Sequence, residues 1–280
     1  MNTLVITCEI MLRNKIKRIH IKDLVQEKSN LIYLKIKSRV NSRNMMGESN
    51  LIGLSIRYTD IMSLYVEYKD IFVNKIYHFN SEKKSPYILD GGGCIGMSVL
   101  YFKSIYPKAK IVCFEPDPEI FKILKQNLTT NNIDDVALIN AGLAKDEGVL
   151  SFNSDNVDGG KIVENNQGNI KIRTVRLSEY ITESVDFLKL NIEGQELPVI
   201  QEVEEFGKLR NIKEMVIEYH GWPNESQKLG ELLTILDRNG FRYLIHDFDP
   251  ETCGASKPPF HLNSQTTWFC LVYAQRQDVS

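Results

Sequence analysis

No apolar run in this 280-residue chain approaches the roughly 20 residues that a membrane-crossing helix needs, so a transmembrane segment is not expected. The opening MNTLVITCEIML has no basic residue ahead of its apolar stretch and carries Glu9 within it, which makes a poor signal peptide. Five cysteines (Cys8, Cys94, Cys113, Cys253 and Cys270) form no C-x-x-C pair and are scattered as buried thiols would be. A reducing cytoplasm is the expected compartment. Charge of one sign is also lacking. With 34 Lys+Arg against 36 Asp+Glu the net charge is −2, too small for a global field that would draw in nucleic acid or an anionic membrane. There is no internal repeat. With 42% apolar residues, 17 Gly and 9 Pro, collagen-like, low-complexity and disordered chains are excluded.

Charge is nevertheless uneven along the chain. Residues 1–43 hold ten Lys/Arg and three Asp/Glu, a local balance of +7. The pattern predicts a basic N-terminal extension or lid over 1–84, with a larger domain over 85–280. The extension reads as a small α+β piece. IYLKIK (32–37) and LIGLSIR (51–57) look like strands, and an amphipathic helix covers 60–77. An arm of this kind packs on a neighbour or covers a cleft, which leaves a homodimer open.

From residue 87 short β-branched runs alternate with amphipathic segments of helical length. Strands are predicted at YILD (87–90), KIVCFE (110–115), VALINA (136–141), VDFLKLNI (185–192), IKEMVIEY (212–219), FRYLIHDF (241–248) and TTWFCLVYA (266–274). The helices between them imply a doubly wound, mostly parallel sheet covered on both faces. No helix separates the last two strands, so the final one is expected to run antiparallel. The stretch 149–176, with its Gly/Asn-rich middle, reads as a β-hairpin insertion.

The strongest local signal is LDGGGCIG (89–96), at the carboxyl end of a strand entering a helix. Gly91, Gly93 and Gly96 also satisfy the dinucleotide pattern, with Glu115 ending the next strand where a carboxylate can bind ribose hydroxyls. Asp90 tips the choice. A carboxylate beside a pyrophosphate is repelled, whereas the sulfonium and ammonium of S-adenosylmethionine are attracted to it. Asp90, Gly91, Gly92, Gly96, Glu115 and Pro116 are therefore the expected donor-binding residues. Asn140 and Ala141, at the end of the third strand, would meet the adenine. An NAD(P)-dependent oxidoreductase built on the same glycines is the alternative.

In LKLNIEGQE (188–196), Lys189, Asn191 and Glu193 alternate with apolar residues and would edge the same crevice. A Lys189–Glu193 ion pair bracing the sheet is the purely structural reading. IEYHGWP (217–223) adds Glu218 and His220 just past the fifth strand.

In this order, LDGGGCIGMSVLYF, IVCFEPDPEIFKILKQNLTTNN, TVRLSEY, DFLKLNIEGQE and MVIEYH resemble the FkbM family of S-adenosylmethionine-dependent methyltransferases, with LSIRYTD (54–60) similar to its short upstream motif. The resemblance spans roughly residues 55–248. It implies a Rossmann-like seven-stranded sheet and O-methylation of a sugar, polysaccharide precursor or polyketide-like small molecule. It also places Lys189, Glu193, Glu196, Glu218 and His220 on the acceptor side. His220 is the first candidate for the base and Glu193 the second, with Lys189 orienting the acceptor oxygen. Two residues depart from the family pattern. Asn191 stands where an Asp is usual, which favours a route without metal and leaves open a decayed, donor-binding module. Gly93 with Cys94 replaces a small residue followed by Asn.

Overall fold

The structure, a computed structural model, describes residues 25–155, 159–163, 168–246 and 258–277. Cys8, Cys253, the basic residues before 25 and parts of the insertion and 249–265 loops lie outside those ranges. The chain divides into two compact units, up to Asn74 and from Lys75. The sequence pattern suggests a boundary ten residues later. The difference comes from Tyr77 and Phe79, which are buried. Phe79 stacks on Phe187 at 4.5 Å between ring centroids and meets Phe102 edge-on.

In the first unit a helix, α1, covers residues 25–40, where IYLKIK suggests a strand. A hairpin follows, β1 (Gly47–Leu51) against β2 (Leu54–Tyr58). LIGLSIR is therefore not one strand. It turns at Ile52 and Gly53, both with positive φ, and Gly53 adopts this conformation without steric cost. Helix α2 (Ile61–Glu67) continues into a π-helical stretch, Tyr68–Val73. The Asp60 of the upstream motif caps α2. Its carboxylate accepts from Met62 and Ser63 N–H and pairs with Arg43 at 2.9 Å.

The second unit is the doubly wound sheet. Its strands are β3 (Tyr87–Gly91), β4 (Lys110–Phe114), β5 (Val136–Ile139), β10 (Val185–Leu190), β11 (Ile212–Gly221), β12 (Phe241–His246) and β13 (Trp268–Arg276). They lie in the order β12-β13-β11-β10-β3-β4-β5. As expected from the lack of a helical sequence pattern between the last two strands, β13 is antiparallel to both neighbours. Helices α3 (Met97–Ile105), α4 (Pro118–Thr130), α5 (Glu196–Glu205) and α6 (Leu229–Arg238) make the connections. Helix α4 opens with Pro118 after the Asp117 cap, whose side chain accepts from Glu119 and Ile120 N–H.

The insertion forms its own four-stranded sheet from β6 (Gly142–Leu143), β7 (Gly148–Asn153), β8 (Lys161–Val163) and β9 (Ile170–Val175). All six residues of β10 are buried, as a central parallel strand covered on both faces requires. Strand order reverses between β3 and β10, and open α/β sheets bind ligands at such a switch point. No helix among the described residues is long and apolar enough to cross a membrane.

Candidate active site

Parallel pairing sets Lys189 of β10 directly beside Asp90 of β3, and Asp90 beside Cys113 of β4. Register neighbours point to the same face, so the three side chains form a row across the switch point. Lys189 Nζ lies 3.1 Å from Asp90 Oδ1, and Asp90 is 0% and Lys189 2% exposed. The same ammonium donates to the carbonyls of Gly91 and Gly92, while Ser98 of α3 donates its hydroxyl to Asp90 Oδ2. Burial works against the charge on Lys189, yet the Asp90 carboxylate holds its pKa above the ordinary value.

Two expectations are corrected here. Asp90 does not present a bare charge to a ligand, because Lys189 balances it inside the protein. Lys189 cannot orient an acceptor oxygen, because its ammonium is spent on Asp90 and the glycine turn. The Lys189–Glu193 brace is replaced by this pair.

The glycines are there chiefly for their neighbours. A Cβ on Gly92 would strike the backbone carbonyl of Asn191, and one on Gly93 would strike Cys113 Sγ. Gly92 and Gly96 also have φ of 84° and 97°. Amide groups of the turn bond within the protein. Gly92 and Gly93 donate to Phe114 O, Gly96 to Gly93 O, and Cys94 to Glu115 Oε2. The Glu115 carboxylate also accepts from Asp117 N–H. Burial pushes its pKa up, the two backbone N–H groups pull it down, and it settles at about 7. Asn140 does not offer its amide nitrogen to a ligand. Nδ2 donates to Glu115 O and Pro116 O and so staples the end of β4. Ala141 is buried. These turn amides are therefore satisfied within the protein instead of turned outward to a phosphate bridge, which fits a donor without phosphates.

On the other side of the switch point, Glu193, Glu196 and Glu218 surround His220. Its Nδ1 lies 3.3 Å from Glu196 Oε1, and its Nε2 lies 3.6 Å from Glu193 Oε2 and 3.7 Å from Glu218 Oε1. A neutral ring would turn one lone pair toward a carboxylate, so the surrounding charges favour the doubly protonated imidazolium. Burial opposes that charge, but the hydrogen bond to Glu196 and the three carboxylates outweigh it and raise the imidazole to about 10. An imidazolium cannot accept a proton, which bears directly on His220 as the expected base.

Glu196 has a second task, accepting from Ile192 and Gly194 N–H and so closing the turn that holds Glu193 at a φ of 54°. A non-glycine residue in that conformation is strained, and such strain concentrates at functional sites. Glu218 is pushed above the ordinary carboxylate range by burial, partly offset by His220 and Lys189, and Tyr77 hydrogen-bonds it. Asn191 Nδ2 donates to Glu218 Oε2 at 3.1 Å.

The sequence reading missed four contributors. Ser98 is the second residue of α3 and has no motif of its own. Tyr77 precedes the recognisable domain. Trp222 stacks on His220 at 5.5 Å, with Lys161 from the insertion 4.0 Å from its ring centre. Only Trp222 gave a usable signal, standing two residues past His220 in IEYHGWP.

The Methyltransferase FkbM domain model matches residues 90–243. The chain belongs to the FkbM methyltransferase family. Its chemistry is methyl transfer and its donor is S-adenosylmethionine, so the dinucleotide alternative falls. "Methyltransferase 1" of Beauveria bassiana is 26% identical over 187 residues, covering 54% of this chain and 75% of that protein. "2-O-methyltransferase NoeI" of Sinorhizobium fredii is 28% identical over 142 residues, covering 42% of this chain and 58% of its own length. A solved FkbM methyltransferase from Methylobacillus flagellatus KT aligns over 76% of this chain and 54% of its own, at 16% identity and a TM-score of 0.47.

Proposed function

We propose that the chain methylates a hydroxyl oxygen of a small-molecule or glycan acceptor, of the sugar, polysaccharide-precursor or polyketide-like kind, with Glu218 as the base. The observation that carries the assignment is that His220 is enclosed by carboxylates on both ring nitrogens, which leaves a carboxylate to take the proton. Glu218 is the best matched of the three. Burial raises its proton affinity, the direction in which a general base gains strength. Glu196 is committed to its turn. Glu193, at the strained tip, positions the acceptor. The relative NoeI, a 2-O-methyltransferase by name, supports an oxygen acceptor.

S-adenosylmethionine supplies an activated methyl group and leaves as S-adenosylhomocysteine. Glu115 and the 91–96 turn would hold it, with the ends of β4 and β5 at Pro116 and Asn140 walling the adenosine. Asp90 and Lys189 fix the turn from behind. Glu218 draws the hydroxyl proton as the oxygen lone pair closes on the methyl carbon, and His220 balances the acidic cluster throughout.

Incubation of the chain with labelled donor and a metabolite extract, followed by mass identification of the product, reveals the acceptor. Glu218→Gln is then expected to slow turnover by about 10²- to 10⁴-fold, with S-adenosylhomocysteine binding unchanged by calorimetry. Turnover within threefold of the parent overturns the base, and a methyl found on nitrogen or carbon overturns the hydroxyl reading.

A further inference from the structure

Helix α1 turns its apolar side outward. Val25, Ile32, Ile36 and Val40 follow one another at helical spacing and are 62%, 61%, 59% and 77% exposed. The opposite side is narrow and largely polar. It consists of Asn30, Leu34 and Ser38, all buried, with Asn30 Nδ2 donating to the Tyr68 hydroxyl at 3.5 Å. Lys37 secures the helix by donating to Ser49 Oγ at 3.2 Å. Lys28 and Arg39, both exposed, flank the stripe, and Lys35 lies on the same flank. From Lys28 to Gly47 there is no acidic residue, and exposed Met45 and Met46 follow the helix. Just upstream the sequence adds Arg13, Lys15, Lys17, Arg18 and Lys22.

We propose that α1 is a docking face for the surface of an anionic lipid bilayer, lying in the interface plane with Val25, Ile32, Ile36 and Val40 dipped among the acyl chains. Charge complementarity selects this occupant. An apolar stripe edged by Lys and Arg matches a layer with negative headgroups above hydrocarbon. A second copy of the same face would bring Lys28 and Arg39 rows against each other. A nucleic acid would leave the central stripe without a partner. Adsorption of this kind requires no spanning segment, and it does not depend on which acceptor is methylated.

The test is co-sedimentation of the full chain with phosphatidylcholine vesicles, with and without phosphatidylserine. Binding is expected only with phosphatidylserine and should weaken as salt rises. Lys28→Glu/Arg39→Glu and Ile32→Ser/Ile36→Ser should each lower partitioning by about tenfold or more, with the thermal melt and S-adenosylhomocysteine binding unchanged. Failure to bind either vesicle overturns the proposal, as does binding indifferent to both double variants. Light scattering that shows a dimer dispersed by Ile32→Ser/Ile36→Ser, without vesicle binding, overturns it in favour of self-association.

Discussion

Lys189 meets Asp90 at 3.1 Å where strand order reverses, and neither side chain reaches solvent. Because 98 residues separate them, the pair ties the tip of the first sheet strand to the tip of the fourth. It shapes the glycine turn from inside. The Asp90 carboxylate thus anchors the Lys189 ammonium, which in turn donates to the Gly91 and Gly92 carbonyls.

A buried ion pair is costly to break from one side and cheaper to remove whole. Lys189→Met strands the Asp90 charge and is expected to cost about 3–5 kcal/mol in urea unfolding. Lys189→Met/Asp90→Asn should regain at least half of that loss. A cost below about 1 kcal/mol for the single variant, the range of solvent-exposed pairs, would show that the pair braces nothing.

His220 gives a signature in pH. Its folded pKa of about 10 lies above the ordinary 6.5. Its contribution to stability is therefore complete below pH 6.5 and is lost as pH rises through about 10. Comparison of the parent with His220→Gln across that window should show the difference shrinking with pH. Nitrogen NMR at pH 8 should find both ring nitrogens protonated. A neutral ring at that pH would return the base to His220.

Much of this was readable from residues, and the misses have physical causes. Strand and helix alternation after residue 87 is strongly periodic, and the antiparallel β13 follows from the lack of a helical sequence pattern before it. IYLKIK misleads because Ile32, Leu34 and Ile36 satisfy a period of two, while Ile32, Ile36 and Val40 satisfy a helix. The helix wins because no Gly or Pro interrupts residues 25–40. At the site, LDGGGCIG and LKLNIEGQE each announce themselves, but their register does not. Nothing local says that Asp90 faces Lys189, or that His220 falls among three carboxylates brought from two strand tips. Charge seen one residue at a time therefore does not reveal the Lys189 partner of Asp90 or the three carboxylates around His220.

Asn191 is matched to its surroundings. Its amide nitrogen feeds Glu218 Oε2 at 3.1 Å, where an aspartate would set two carboxylates against each other. Asn191→Asp is expected to destabilise the chain by about 1–3 kcal/mol at pH 8. The loss should fade toward pH 4, about the ordinary aspartate value, because a carboxyl whose folded pKa is raised is penalised only where the unfolded chain ionises. Equal stability at both values would mean that the Asn191–Glu218 contact is incidental. Turnover by the parent with its identified acceptor would remove the decayed-module reading, whatever the variant does.

Glu115 links donor binding to pH. Burial lifts its carboxyl from the ordinary 4.5 to about 7, so the unfolded chain ionises first. Stability of the free protein should then fall as pH rises from 4.5 to about 7 and level off above. Ribose hydroxyls donate to the ionised form, so donor binding runs the opposite way and strengthens over the same titration. With a pKa of about 7, the ionised fraction grows about tenfold between pH 6 and pH 8. Calorimetric affinity for S-adenosylhomocysteine should rise by up to that factor in the parent. In Glu115→Gln it should be weak and flat, since an amide has one acceptor for the two N–H groups of Cys94 and Asp117 and none to spare. An affinity that stays constant from pH 6 to pH 8 in the parent would remove Glu115 from the donor site, even if the glycine turn keeps its place.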